Sequence, residues 1–173
     1  EPWPAGVAGV WWLRAARGDA DANNRGVVSN LLIVRDGRRV WAVGSGPSPA
    51  FGRALGCVVR RDVGHAITDV ISPWPRPELV LGAAGLPQAR HWAHADVAHA
   101  MRVQCARCVM RLRQRLGIAA VDLGADRHPV ATHGNAPSFD QCVDRGDSWV
   151  AGQRNLGLRC EIAGAHITLR RFK

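Results

Sequence analysis

The sequence predicts an α/β protein, and three observations carry that prediction. Two apolar runs flank an Asp36-Gly37 pair, a helical periodicity follows a glycine-rich turn, and short β-prone runs then alternate with helical ones. At 173 residues the chain suits one domain with enough apolar content to bury a core.

Each element has its own signal. Gly9–Arg14 (GVWWLR) is short, apolar and β-prone and reads as a strand. The polar stretch Gly18–Arg25 has loop chemistry, being rich in Asp, Asn and Gly. Val27–Val34 and Val40–Val43 are the two arms of the hairpin around Asp36-Gly37. Gly44-Ser45-Gly46-Pro47 ends the second arm, and Ser48-Pro49 supplies an N-cap and a first-turn proline. Phe51, Leu55 and Val58 or Val59 then fall at helical spacing, which predicts an amphipathic helix over Pro49–Arg61.

Ile67–Ile71 reads as a short strand running into Ser72–Glu78, a segment that three prolines bar from helix and central strand alike. Leu79–Leu86 leads towards another strand near Ala89–Ala93. Asp96 is the expected cap of a longer helix through Leu116, closed by Gly117. On that helix Met101, Cys105, Cys108, Leu112 and Leu116 form one apolar stripe, and Arg102, Arg107, Arg111, Arg113 and Arg115 lie off it. Beyond Asp122 the pattern changes. Residues 1–120 read as the α/β domain and 121–173 as an irregular, poorly packed C-terminal segment that ends in one β-like run, Ile162–Leu169. A truncated or frame-altered tail is an alternative reading of that segment.

Composition narrows the function classes. No apolar run approaches the roughly 20 residues of a membrane-spanning helix, so a membrane partner is not expected. The net charge of +9 raises nucleic acid or another polyanion as a partner. Yet Lys173 is the only lysine, the other 22 basic residues are arginine, and tyrosine is absent. That is the signature of GC-rich coding, which accounts for much of the charge. Five cysteines are too few for a disulfide framework, and Cys57 reads as a small buried residue on a helix. A chain starting at Glu1 leaves a processed N-terminus open: periplasmic or secreted in that case, cytoplasmic otherwise.

Local details carry a resemblance to a family. Ser29-Asn30 entering Leu31–Val34, then Asp36-Gly37 and Val40–Val43, resembles the opening hairpin of metallo-β-lactamase-fold hydrolases. Gly44-Ser45-Gly46 falls where that family places an Asp-x-Gly turn, Pro49–Arg61 where it places its first helix, and Ile67–Ile71 where a strand feeds the metal loop. The helix with Cys105-x-x-Cys108 ahead of Leu112-Arg113 resembles the zinc metallohydrolase branch associated with quinoprotein relay systems. The resemblance spans Gly9 to Gly117 and implies an αββα sandwich, here incomplete, and a zinc-dependent hydrolase by ancestry.

The metal motif itself is degenerate. The family reads His-x-His-x-Asp-His with a glycine three residues on. Anchored on Gly82, the two leading histidines fall on Trp74 and Arg76, the aspartate on Glu78 and the last histidine on Leu79. Zinc needs imidazole or carboxylate donors around an open position, where it lowers the pKa of a bound water. Trp donates only an N–H, Leu donates nothing and Arg stays cationic, so Glu78 alone keeps ligand character. Gly44 likewise replaces the turn aspartate. An inactive or weakly active hydrolase-like protein follows, in which Trp74, Arg76 and Glu78 are pocket candidates for a small anionic or aromatic molecule. Glu78 and His133 are the weak metal candidates, with zinc as the cofactor only if the family site is partly retained.

Other constellations are weaker. His91, His94 and His99 near the thiol pair Cys105 and Cys108 could suggest structural zinc, but a mid-helix pair completing an apolar stripe reads better as a disulfide or buried thiols. A redox pair would want its first cysteine at a helix N-terminus. Loop histidines such as His128 and His133 are ordinarily solvated. Trp11, Trp12, Trp41 and Trp92 read as packing residues, with Trp74 the exception on the pocket loop.

Overall fold

The computed structural model describes residues 8–123, 157–162 and 165–171. Its elements are β1 (Val10–Leu13), β2 (Leu31–Asp36), β3 (Arg39–Val43), α1 (Pro49–Val63), β4 (Asp69–Ser72), α2 (Pro77–Val80), β5 (Arg90–Ala93), α3 (Ala95–Leu116), β6 (Gly157–Ile162) and β7 (Ala165–Arg171), with 3-10 turns at Leu81–Gly85 and Gly117–Leu123. The α/β class holds. One seven-stranded sheet runs β5-β4-β3-β2-β1-β7-β6. The hairpin β2–β3 and the neighbouring β1 pair antiparallel, whereas β3, β4 and β5 are parallel and joined by helical crossovers.

Alternation along the strands assigns the two faces. Leu13, Leu31, Ile33, Val40, Ala42 and Val70 point one way and meet Phe51, Leu55, Val58, Val59 and Val63 of α1 in a core that is almost free of solvent. Leu32, Val34, Trp41, Val43 and Ile71 point the other way and are only half-buried. Of the four layers of an αββα sandwich, the described residues therefore supply one sheet and the helices on it.

Local chemistry explains the element ends. Ser48 Oγ accepts from the Phe51 N–H at 3.1 Å while Pro49 occupies the first turn of α1, so the expected cap and proline both act. Asn30 Oδ1 accepts from Ala15 N–H at 2.8 Å and ties the exit of β1 to the entry of β2. The polar loop is held by its own side chains. Asp21 Oδ1 accepts from Asn23 and Asn24 N–H, both at 2.8 Å, and Asn24 Oδ1 from Asp21 and Gly26 N–H.

Several expectations need correction. The N-cap of α3 is His94, whose Nδ1 accepts from Asp96 N–H at 3.3 Å, while Asp96 itself lies in the first turn, where a carboxylate favours the helix dipole. Pro77 does not bar a helix but starts α2, because a first-turn proline lacks only an N–H that would go unpaired anyway. Leu79–Leu86 leads to the expected strand, β5, after completing α2 and coiling into the 3-10 turn. The α3 stripe is buried only at Leu112 and Leu116, with Met101, Cys105 and Cys108 half-buried. Cys57 is half-buried and disulfide-bonded rather than a simple buried thiol. The run Ile162–Leu169 straddles the end of β6 and most of β7, and β7 pairs with β1 through Trp11↔Arg171 and Leu13↔Leu169.

Three backbones meet where the connection after β4 settles on α1. A Cβ at Gly52 would overlap the carbonyl of Gly82, one at Gly82 the carbonyl of Ser45, and one at Gly85 the carbonyl of Pro49. By contrast a Cβ at Gly56 meets only the Cδ2 end of Leu86, at 2.9 Å. Gly82→Ala is therefore expected to cost roughly 3 kcal/mol, since backbone must move to admit the methyl group. Gly56→Ala, which gains about 1 kcal/mol of helix propensity and displaces only a side-chain tip, should lie within about 1 kcal/mol of wild type. Urea unfolding midpoints of the two variants check the contrast; equal losses would refute it.

Candidate functional site

The loop after β4, onto which the resemblance maps the family's metal motif, is laced to the glycine turn by main-chain bonds. Gly44 N–H donates to the Ile71 carbonyl at 2.8 Å, and the Leu79 carbonyl accepts from both the N–H and the Oγ of Ser45, at 2.7 and 3.1 Å. Gly82 N–H reaches the Gly46 carbonyl at 2.9 Å. Within this frame Trp74 is 60% exposed, Arg76 exposed and Glu78 half-buried. Among the described residues no side-chain hydrogen bond or ion pair links these three to each other or to anything else.

Gly44 and Leu79 exclude a donor pair by shape. Gly44 has a φ of 78°, and a Cβ there would come within 2.6 Å of Leu31 Cδ2 and 2.9 Å of Leu79 Cδ2. The Leu79 side chain, packed on the main core, thus fills the space that a side chain at position 44 would need. Trp74, Arg76 and Leu79 bring no metal donor, so the residues at this loop do not fit a zinc ion. Among the described residues no three of His, Cys, Asp and Glu converge to hold a metal.

Sequence reasoning missed a second cluster, at the opposite end of β4. Asp69 is fully buried. Its Oδ2 accepts from Thr68 Oγ1 at 2.7 Å and its Oδ1 from Trp92 Nε1 at 2.8 Å. Arg39 Nη2 lies 3.3 Å from both oxygens, and Arg90 Nη2 lies 3.0 Å from Oδ1. Arg39 stands 4.3 Å over the Trp41 ring, Arg90 is 5.8 Å from the Trp92 ring centre, and the two indoles are 6.3 Å apart with a 39° tilt. Register explains the convergence. Trp41, Asp69 and Arg90 are direct cross-strand partners, and Arg39 and Trp92 lie two residues along the same face. Trp92, at 47% exposed, is therefore no core packing residue.

Burial alone would raise the Asp69 pKa. The hydrogen bonds from Thr68, Trp92 and Arg90 and the charge of Arg39 outweigh it and hold the carboxyl down at about 2.

The remaining candidates stay apart. Cys105 and Cys108 are free thiols, and burial, with the neighbouring Cys108, pushes the Cys105 thiol up, which opposes thiolate chemistry. His91 Nε2 lies 3.3 Å from the Leu86 carbonyl, and His94 serves as the α3 cap, so neither turns towards the thiols. Arg102, Arg107, Arg111 and Arg115 are exposed along α3. His128 and His133 lie outside the described residues.

No family model and no curated protein matches the chain. Among solved structures it is similar to a metallo-β-lactamase from Hirschia baltica, at 15% identity and a TM-score of 0.47, covering 57% of this chain and 45% of that one. It is also similar to the metallo-β-lactamase FIM-1 from Pseudomonas aeruginosa in its mono-zinc form, at 18% identity and a TM-score of 0.45, covering 57% of this chain and 43% of that one. The chain thus spans less than half the length of either.

The depressed Asp69 pKa has a stability consequence with a definite sign. The folded state holds the carboxyl at about 2, below the ordinary 3.8, so the carboxylate's contribution is complete above pH 4 and is lost as pH falls through 2. The shift corresponds to about 2 kcal/mol. Asp69→Asn should remove this acid-sensitive component and cost roughly 2 kcal/mol at neutral pH, the two solvated arginines left behind adding little. Chemical denaturation of both proteins between pH 6 and pH 2 checks it; parallel stability curves would count against the assignment.

Proposed function

We propose that this chain is a metallo-β-lactamase-fold protein, a zinc-dependent hydrolase by ancestry, whose metal loop no longer supports hydrolysis. One observation carries this reading: Leu79 fills the space beside Gly44 where the family's aspartate would stand, so the losses at positions 44, 74, 76 and 79 belong together. A site that had lost a single ligand would keep its cavity. Here the Cδ2 atoms of Leu31 and Leu79 crowd the position a Cβ at residue 44 would take, and the guanidinium of Arg76 would repel a divalent cation. What the loop retains is an exposed indole, a guanidinium and a carboxylate within five residues, and these suit a small anionic or aromatic molecule better than a metal. The resemblance to the quinoprotein-associated branch is part of the same proposal and concerns descent, with no activity attached.

The full chain, purified after exposure to zinc and dialysed, is expected to hold far less than one zinc per chain and to leave a generic ester and a lactam unhydrolysed. Stoichiometric zinc together with turnover that a chelator abolishes would overturn the reading.

A second reading has its own support in the exposed arginines of α3, four of which line the helix surface. It makes the chain a binding module for nucleic acid or another polyanion. Binding that weakens steeply with added salt is expected on this reading; the absence of any complex with duplex or single-stranded nucleic acid at low salt removes it.

A further inference from the structure

We propose that the sheet face formed by Arg39, Trp41, Arg90 and Trp92 binds a planar aromatic anion, a ring that carries a phosphate or a carboxylate. The sequence places the tripeptide Arg-x-Trp twice, as Arg39-Val40-Trp41 on β3 and Arg90-His91-Trp92 on β5. Strand alternation sets each Arg and Trp on the same side, and the parallel register brings both pairs against Asp69 of the strand between them.

The cluster holds more than Asp69 requires. Thr68 and Trp92 already donate to its two oxygens at 2.7 and 2.8 Å, so one guanidinium would complete its neutralisation. The second leaves an excess positive charge at the surface. Each arginine spends only Nη2 on the carboxylate, and among the described residues the other N–H groups of both make no hydrogen bond. Their side chains are 48% and 61% exposed, so those donors face solvent. Guanidinium forks match carboxylate and phosphate oxygens bidentately.

The aromatic part of the ligand has a seat as well. Trp92 is 47% exposed, yet its ring is fixed through Nε1 on Asp69 and through its tilted contact with Trp41. An exposed indole fixed in this way loses little freedom on stacking, which favours binding over a mobile side chain. A bare inorganic anion would leave the indole unused, and an uncharged ring would leave the guanidinium donors unused. The ligand class that uses both is an aromatic ring bearing an anion. This site is independent of the metal loop and lies at the other end of β4.

Adenosine monophosphate is a suitable probe, with adenosine and inorganic phosphate as its two halves. Titrated into the full chain at low salt, the nucleotide should quench tryptophan fluorescence saturably, and each half alone should bind at least roughly tenfold more weakly. Arg90→Gln should weaken nucleotide binding by a similar factor while Asp69 keeps Arg39. A direct readout on the wild-type chain complements the variant. With nitrogen-labelled indoles, the nucleotide should shift the Trp92 N–H resonance, assigned by its loss in Trp92→Phe. No saturable quenching at millimolar nucleotide, or equal binding by Arg90→Gln, overturns the proposal. Resonance shifts confined to Trp74 overturn it too and place the ligand on the former metal loop instead.

Discussion

Everything at the C-terminal end of β4 depends on backbone meeting backbone without side chains between. The chain leaves β4, turns through its prolines and must return onto α1 before it can rise again as β5. It does so because Gly82 can lie on the Ser45 carbonyl and Gly52 can accept the Gly82 carbonyl, contacts that a single Cβ at either position would prevent. That closeness brings the Leu79 carbonyl onto Ser45 and Gly82 N–H onto Gly46, so the glycine turn after β3 and the loop after β4 become one unit. Main-chain hydrogen bonds hold the unit, so its path does not depend on the exposed side chains of Trp74 and Arg76.

Much of this frame was legible in the sequence. The Asp36-Gly37 hairpin, the Ser48-Pro49 helix start and the apolar faces of β2, β3 and α1 follow from local rules that tertiary contacts did not override. The rest was not. Pro77 was misjudged because a proline that forbids a helix interior also favours a helix start, and only the placement of its neighbours separates the two. His94 displaced Asp96 as cap because an imidazole nitrogen can accept an N–H as a carboxylate does. The Cys57 bridge could not be inferred from cysteine count and spacing alone.

The Asp69 cluster was missed for a more instructive reason. The strand signal of Ile67–Ile71 comes from its apolar residues, and Asp69 contributes nothing to it. A fully buried aspartate within a short apolar strand needs counter-charges, and period-two alternation says where they must come from: matching positions on the flanking strands. Both flanking strands carry Arg-x-Trp at those positions. The signal was present as a relation among three strands and absent from each one taken alone. The two ends of β4 are about 10 Å apart at the usual rise per residue. One end is held by main-chain bonds and apolar packing, and the other concentrates charge and aromatic surface around a carboxylate.

The position of Arg90 bears on how the molecule behaves in company. β5 is the last strand of the sheet beyond β4, and all four of its residues are exposed. An open strand of this kind offers its main chain to any other extended segment, and long, flat, apolar edges invite end-to-end association. This edge is only four residues long, and its first residue is an arginine drawn inward across the sheet face to Asp69. A segment adding itself there would meet a cation at the strand's first residue. A short edge strand with an inward-drawn charge is poorly suited to growing sideways into aggregates.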